Sequence, residues 1–239
     1  MELTERLAEA VRFFWQTRKK QAERQVSAGR SDQGARSAAT GGAQMDGIVA
    51  LLAELLEATG VAPKHIHRKK ALELPGYFRP TKQWDLLVIR DKQLVVAIEV
   101  KSHVGPSFGN NFNNRAEEAM GSALDLWTAY REGAFNLEVK PWLGYMLLLE
   151  DCPESRQSVM AREPYFQVFP EFKSASYSKR YELLCRKLVR ERHYNAAAFL
   201  TSSREEGLNG AYNEPAKDLS FEPFMKSLSA QATAFGRES

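Results

Sequence analysis

Asp85, Glu99 and Lys101 are the residues whose types and spacing best suit chemistry. Glu99-Val100-Lys101 closes the apolar run Leu94–Ile98. Alternate side chains of a strand share a face, so Glu99 and Lys101 point one way and Val100 the other. Asp85 precedes a second apolar run, Leu86-Leu87-Val88-Ile89. If the runs form a hairpin closed by Asp91-Lys92-Gln93, Asp85 lies directly opposite Glu99, with Cβ atoms about 5 Å apart. Two unit charges ~4 Å apart repel by about 4 kcal/mol at an effective dielectric near 20. A cation must compensate, or one carboxyl must keep its proton. A hard divalent ion answers that need. Mg²⁺ accepts carboxylates and a main-chain carbonyl, here that of Val100, and leaves positions for phosphate oxygens. Lys101 adds a point charge beside an attacking water or a phosphate. Together they suit metal-assisted hydrolysis of a phosphodiester. A purely structural ion-paired trio is the competing reading, but charges at the end of such apolar strands are costly unless they are used.

The surrounding pattern must hold those three side chains. Leu3, Leu7, Val11, Phe14 and Trp15 recur at helical spacing and predict a helix over 3–26. Residues 27–44 are rich in Gly, Ser and Ala and read as a flexible loop. A second helix is expected over 46–59, stopped by Gly60. His65–Leu72 is a weak strand candidate; Trp84–Arg90 and Leu94–Ser102 are strong ones, apolar enough for burial on both faces. Gly105–Asn114 reads as a loop, and 115–131 as a helix with Ala116, Met120, Leu124 and Trp127 inward. Strands over 143–149 and 195–201, a basic helix over 177–193 and a last helix from Phe221 complete the order. An antiparallel hairpin followed by helical crossovers gives an α/β fold, a mixed sheet flanked by helices. One domain over 1–239 is expected, with 84–151 as its core.

Composition narrows the function classes. The chain has 239 residues, 44% hydrophobic and 26% charged, which is ordinary for a globule. No apolar run approaches the ~20 residues of a membrane span. Cys152 and Cys185 form no metal-spaced cluster and read as reduced thiols of a cytoplasmic protein. A net charge of +3 is compatible with a nucleic-acid partner without requiring one.

Asp followed by Glu-x-Lys, on strands bracketed by helices, resembles the PD-(D/E)XK nuclease superfamily. The stretches DQGARSAATGGAQMDG (32–47), YFRPTKQWDLLVIRDKQLVVAIEVKSHVGPSFGNNFNNRAEEAMGSALDLW (77–127) and GYMLLLED (144–151) resemble, more narrowly, the XhoI family of type II restriction endonucleases. The resemblance implies a restriction-endonuclease-like core and a Mg²⁺-dependent homodimer. It also implies cutting of a palindromic duplex site, CTCGAG in that family, to leave 5′-phosphates, and a cognate DNA methyltransferase. Asp85, Glu99 and Lys101 occupy its catalytic positions, with Asp85, Glu99 and the Val100 carbonyl on the metal. The superfamily often adds an acid from the helix before the sheet, for which Glu54 and Glu57 are the candidates. Trp84 departs from the proline usual before the first Asp.

Base reading needs bidentate donors and acceptors. The 27–44 loop offers Arg30, Asp32, Gln33 and Arg36. The segment after Lys101 offers Asn110, Asn111, Asn113, Asn114 and Arg115, although asparagines also support turns and cap helices. Lys82 is a candidate phosphate contact, as are Arg68-Lys69-Lys70 and Arg79. The bases of the 179–192 helix fit the helix dipole equally well. His65 and His67 share a strand face but lack further ligands, and His103 shares the face of Lys101, where a supporting role is expected. Two other readings stay open: a structure-specific repair nuclease on the same core, and a non-catalytic DNA-binding protein.

Overall fold

The computed structural model describes residues 2–27, 43–135 and 140–236. Its centre is a five-stranded sheet ordered β1-β4-β5-β6-β7. The strands are Ile66–His67 (β1), Leu86–Arg90 (β4), Gln93–His103 (β5), Trp142–Glu150 (β6) and Ala196–Ser202 (β7). Glu73–Pro75 (β2) and Thr81–Gln83 (β3) form a separate antiparallel ribbon. β1, β4 and β5 run antiparallel, whereas β5, β6 and β7 run parallel. Parallel neighbours need long crossovers. The helices Phe108–Arg131 (α3) and Tyr177–Arg190 (α4) supply them. Leu3–Ser27 (α1), Asp46–Ala58 (α2) and Phe221–Gly236 (α5) pack on the opposite face.

Strand alternation divides the core. Leu86, Val88, Val96, Ile98 and Val100 face α1, α2 and α5. Leu87, Ala97, Leu143, Tyr145 and Leu147 face α3 and α4. Every residue of β6 is buried, as its unbroken apolar run requires.

The β4–β5 turn is shorter than expected. Arg90 pairs with Gln93, so only Asp91 and Lys92 form it, both in the left-handed region (φ 49° and 62°). Such a two-residue turn alone would shift every later pair by one. A bulge between Val88 and Ile89 restores the offset, and Leu86 pairs with Ile98. The expected alignment at the site therefore holds, by a different route.

Two other expectations are corrected. The segment after Gly105 is helical from Phe108, not from residue 115. Its apolar spacing starts earlier than read: Phe108 is buried against His103, and Phe112 packs on Tyr181. The inward face is also rotated. Ala119, Ala123 and Leu126 are buried, whereas Met120 and Leu124 are exposed. The small residues let α3 lie close to the sheet; the larger ones do not fit beneath it.

The β2–β3 ribbon was not anticipated. Leu72, Leu74 and Trp84 insert it into the second core. Its tip is tied to α3 by Asp125, which accepts from Tyr77 N–H (2.7 Å), Phe78 N–H (2.9 Å) and Arg79 Nε (2.7 Å). Gly76 is needed there, because a Cβ would lie 2.6 Å from the Asp125 carboxylate.

Candidate active site

β5 outruns β4 at Glu99 while staying paired with β6 through His103, and Asp85 sits one residue before β4. Asp85 N–H donates to the Ile98 carbonyl (3.1 Å), which carries the antiparallel register one step past the strand. The side chain then returns: Val100 N–H donates to Asp85 Oδ2 at 2.7 Å. Asp85 is thereby placed opposite Glu99, on the same face as Lys101.

Glu99 is 3% exposed and lies between two ammonium groups. Lys101 Nζ pairs with Oε1. Lys82 Nζ, from the ribbon, reaches Oε2 at 2.5 Å and lies 4.3 Å from the Trp84 ring centroid. Burial pushes the Glu99 carboxyl up, but Lys101 and Lys82 outweigh it and hold it below the ordinary range. Asp85 goes the other way: burial, with the Glu99 charge added, raises its pKa despite the Val100 amide. Burial alone would lower the pKa of Lys101; the Glu99 carboxylate more than offsets it, so Lys101 remains an ammonium. Two acids and two lysines form a neutral quartet. The compensation that the sequence assigned to a metal is thus available from Lys82 and Lys101 as well.

The donor set fits a hard divalent ion. Two carboxylates on facing positions, with the Val100 carbonyl on the chain between Glu99 and Lys101, match the few protein ligands that Mg²⁺ takes when phosphate and water supply the rest. Among the described residues no group of three or more His, Cys, Asp or Glu side chains could hold a metal. Glu54 and Glu57 are both exposed on α2, and Glu54 pairs with Arg6 at 2.7 Å, so the structure does not bring either to the site. A divalent cation held by Glu99 would compete with the Lys82 ammonium, so Lys82→Met is expected to tighten Mg²⁺ or Ca²⁺ binding without DNA by about tenfold, equivalent to about 1.4 kcal/mol. Calorimetric titration measures this, and an unchanged affinity would remove Lys82 from the electrostatics of the site.

The other candidate residues divide clearly. Asn110, Asn113 and Asn114 are exposed on the first turns of α3, and Asn111 is half-buried. Arg115 pairs with Glu118 at 2.6 Å and is close enough for its charge to act on Lys101 and His103. Arg30, Asp32, Gln33 and Arg36 lie outside the described residues. Arg68, Lys69 and Lys70 are exposed, whereas Arg79 is held by Asp125. The α4 bases are largely paired with acids: Lys179 with Glu182, Arg186 with Glu182 and Asp218, Lys187 with Glu171. His103 is buried with Nδ1 2.6 Å from the Tyr181 hydroxyl. Burial, with the Arg115 charge, lowers its pKa to about 4, so it is neutral at ordinary pH and serves the packing beneath the site.

Glu150 was not singled out from the sequence. It is 5% exposed at the end of β6, accepts from Gly105 N–H (2.8 Å) and pairs with Arg204. It thus ties the turn after β5 to the neighbouring strand. An acid closing an apolar strand, as Glu99 does, was the available signal.

Residues 24–214 match the family model described as restriction endonuclease XhoI. The chain belongs to the XhoI family of restriction endonucleases. It is 54% identical over 202 residues to the type II restriction enzyme BstVI of Geobacillus stearothermophilus, covering 82% of this chain and 90% of that one. It is 50% identical to the type II restriction enzyme XhoI of Xanthomonas vasicola, over 75% of this chain and 72% of the relative. It is 53% identical to the type II restriction enzyme AbrI of Azospirillum brasilense, over 66% and 72%. No solved structure matches the chain. Its class is therefore that of a type II site-specific deoxyribonuclease, and the mixed sheet flanked by helices is in keeping with a restriction-endonuclease core. No described helix is long and apolar enough to cross a membrane.

Proposed function

We propose that this protein makes Mg²⁺-dependent double-strand cuts at the palindrome CTCGAG by phosphodiester hydrolysis, leaving 5′-phosphates. The observation that carries the chemistry is the register that sets Asp85 opposite Glu99 with Lys101 on the same face. The target rests on the 50% identity to an enzyme named XhoI.

Asp85, Glu99 and the Val100 carbonyl would hold the ion, which supplies charge stabilisation to the phosphate when bound. Lys101, kept protonated by Glu99, donates hydrogen bonds rather than accepting a proton. Its part is to orient the attacking water and offset the charge that gathers on the phosphate. Lys82, once released from Glu99, is a phosphate contact within reach of the same site. Asn110, Asn111, Asn113, Asn114 and Arg115, on the helix that follows Lys101, present base-reading groups from one side. Arg30, Asp32, Gln33 and Arg36 would read from the 27–44 segment. A palindrome has two equivalent scissile bonds, so a homodimer places one site on each. The whole chain acts as one nuclease domain around the 84–151 core, in the cytoplasm, beside a methyltransferase that protects the host sites.

The test is digestion of a plasmid carrying one CTCGAG site, with Mg²⁺ and with EDTA, beside a plasmid lacking the site. Linearisation only when site and metal are both present is expected. Discrete cutting elsewhere would discard the target; cutting in EDTA would discard the metal role.

A further inference from the structure

We infer that the excursion between β6 and α4, residues 157–176, carries the surface through which two copies of this chain associate. The inference rests on the dimeric reading above and says which surface makes the dimer.

The segment is a braced loop. Ser158 Oγ donates to the Ser174 carbonyl (2.7 Å), and Ala161 N–H to the Lys173 carbonyl (3.2 Å). From α4, Arg180 donates to the carbonyls of Val159 (2.8 Å) and Ala175 (3.0 Å). Its ends are therefore held close together. A loop fixed in this way has no need to show its largest apolar side chains to water. Yet Tyr165 is 89% exposed, Phe166 88%, Phe169 71% and Met160 70%. Aromatic residues and Met are the types enriched at protein interfaces. Exposed as a group, they mark an interaction site.

Charge selects the partner. The segment holds Arg162 and Lys173 against Glu163 and Glu171, so its net charge is zero. Lys173 is paired with Glu163 at 3.5 Å, and Glu171 with Lys187 at 2.7 Å. Lys187 and Arg180, which reach the segment from α4, are engaged with Glu171 and with the Val159 and Ala175 carbonyls, so little unpaired positive charge is left here to draw a polyanion. A two-fold contact brings a patch against itself. A patch of one sign would repel its copy; a balanced apolar one does not. The size is also suitable. An aromatic side chain buries about 150–250 Å². The three aromatic side chains thus offer at least about 450 Å² and Met160 adds to it, more than half of the ≈ 800 Å² that each partner contributes to a standard interface.

The experiment is sedimentation velocity on the full chain, at micromolar concentration and without DNA. The wild type is expected at twice the 27.0 kDa chain mass. Tyr165→Ser/Phe166→Ser is expected to sediment as a monomer, with the dimer dissociation constant raised at least about 100-fold and the far-UV circular dichroism unchanged, because both side chains are solvent-exposed in the single chain; its thermal midpoint is expected to lose the concentration dependence that dimerisation gives the wild type. Hydrogen exchange of the wild type, followed with dilution, is expected to show amides 160–169 losing protection as the dimer dissociates. A double variant that stays dimeric overturns the inference, as does a monomeric wild type. A variant that stays dimeric but loses affinity for a CTCGAG duplex reassigns the loop to DNA. Mass is read without cleavage, so failure of the nuclease reading would appear in the plasmid digest alone.

Discussion

Asp85→Asn is expected to abolish double-strand cleavage of a CTCGAG plasmid while leaving the thermal midpoint unchanged or slightly higher. The two halves come from the same geometry. The ionised Asp85 carboxylate is disfavoured by burial and by Glu99, so its pKa is raised in the folded chain. At neutral pH that charge is a cost to folding, relieved when Asn replaces it. The amide oxygen of Asn still accepts from Val100 N–H, so the local turn survives. A divalent ion held as proposed would, however, lose an anionic ligand. Metal stabilisation of the phosphate is worth several kcal/mol, so losing most of it slows cleavage by about 10³-fold or more. Glu99→Gln and Lys101→Met are expected to slow cleavage as far, but with a loss of stability. Each breaks a buried ion pair and leaves a charge without its partner. Cleavage assays beside melting curves separate the cases. Normal cutting by the Asp85→Asn variant would remove that residue from the catalytic set. A large fall in its melting point would show that the charge serves the fold.

Asp125→Ala is expected to cost about 2 kcal/mol, because two backbone N–H groups lose a charged acceptor, whereas the Arg79 guanidinium, 43% exposed, adds little through solvent screening. For a chain of this length that lowers the melting midpoint by roughly 4–8 °C. The side chain is 5% exposed and holds two backbone N–H groups and the Arg79 guanidinium. No other side chain of the ribbon tip replaces those bonds, so protease cleavage within 76–79 is expected to rise with the loss of stability. The pH dependence has a definite sign. Burial raises the Asp125 carboxyl, but the bonds from Phe78, Arg79 and Tyr77 outweigh it and hold its pKa below the ordinary value. Its contribution is therefore complete above the unfolded value of about 3.9 and fades as pH falls through the lower native one. Acid unfolding of the wild type should show this dependence, and the alanine variant should lose that part of it. A variant with an unchanged melting point would mean that the ribbon is held by Leu72, Leu74 and Trp84 alone.

Strands, helices and the grouping of Asp85, Glu99 and Lys101 on one face were legible in the chain because each is a local pattern. Leu86–Ile89 and Leu94–Ile98 are apolar beyond what a half-exposed strand needs, and both are buried on two faces. Glu99 and Lys101 share a face because strand periodicity is two, whatever the rest of the chain does. The start of α3 was misplaced because four asparagines resemble a loop, whereas Phe108 and Phe112 anchor that turn to residues distant in sequence, Tyr177 and Tyr181. The β2–β3 ribbon was missed because strands of three residues leave no periodic signal.

Residue types and their alternation are enough to put Asp85, Glu99 and Lys101 together, and to require a mixed sheet with helices on both faces to present them. Composition and alternation are sufficient for that, since both act between near neighbours. How that charge is balanced depends on contacts far apart in the chain. Lys82 reaches Glu99 because a ribbon tied to α3 by Asp125 swings it there, across 17 residues of chain. Likewise the alignment of Asp85 with Glu99 depends on a two-residue turn and a bulge that compensate each other. Neither has a marker in the residue types, because each is settled by what the rest of the fold packs against it.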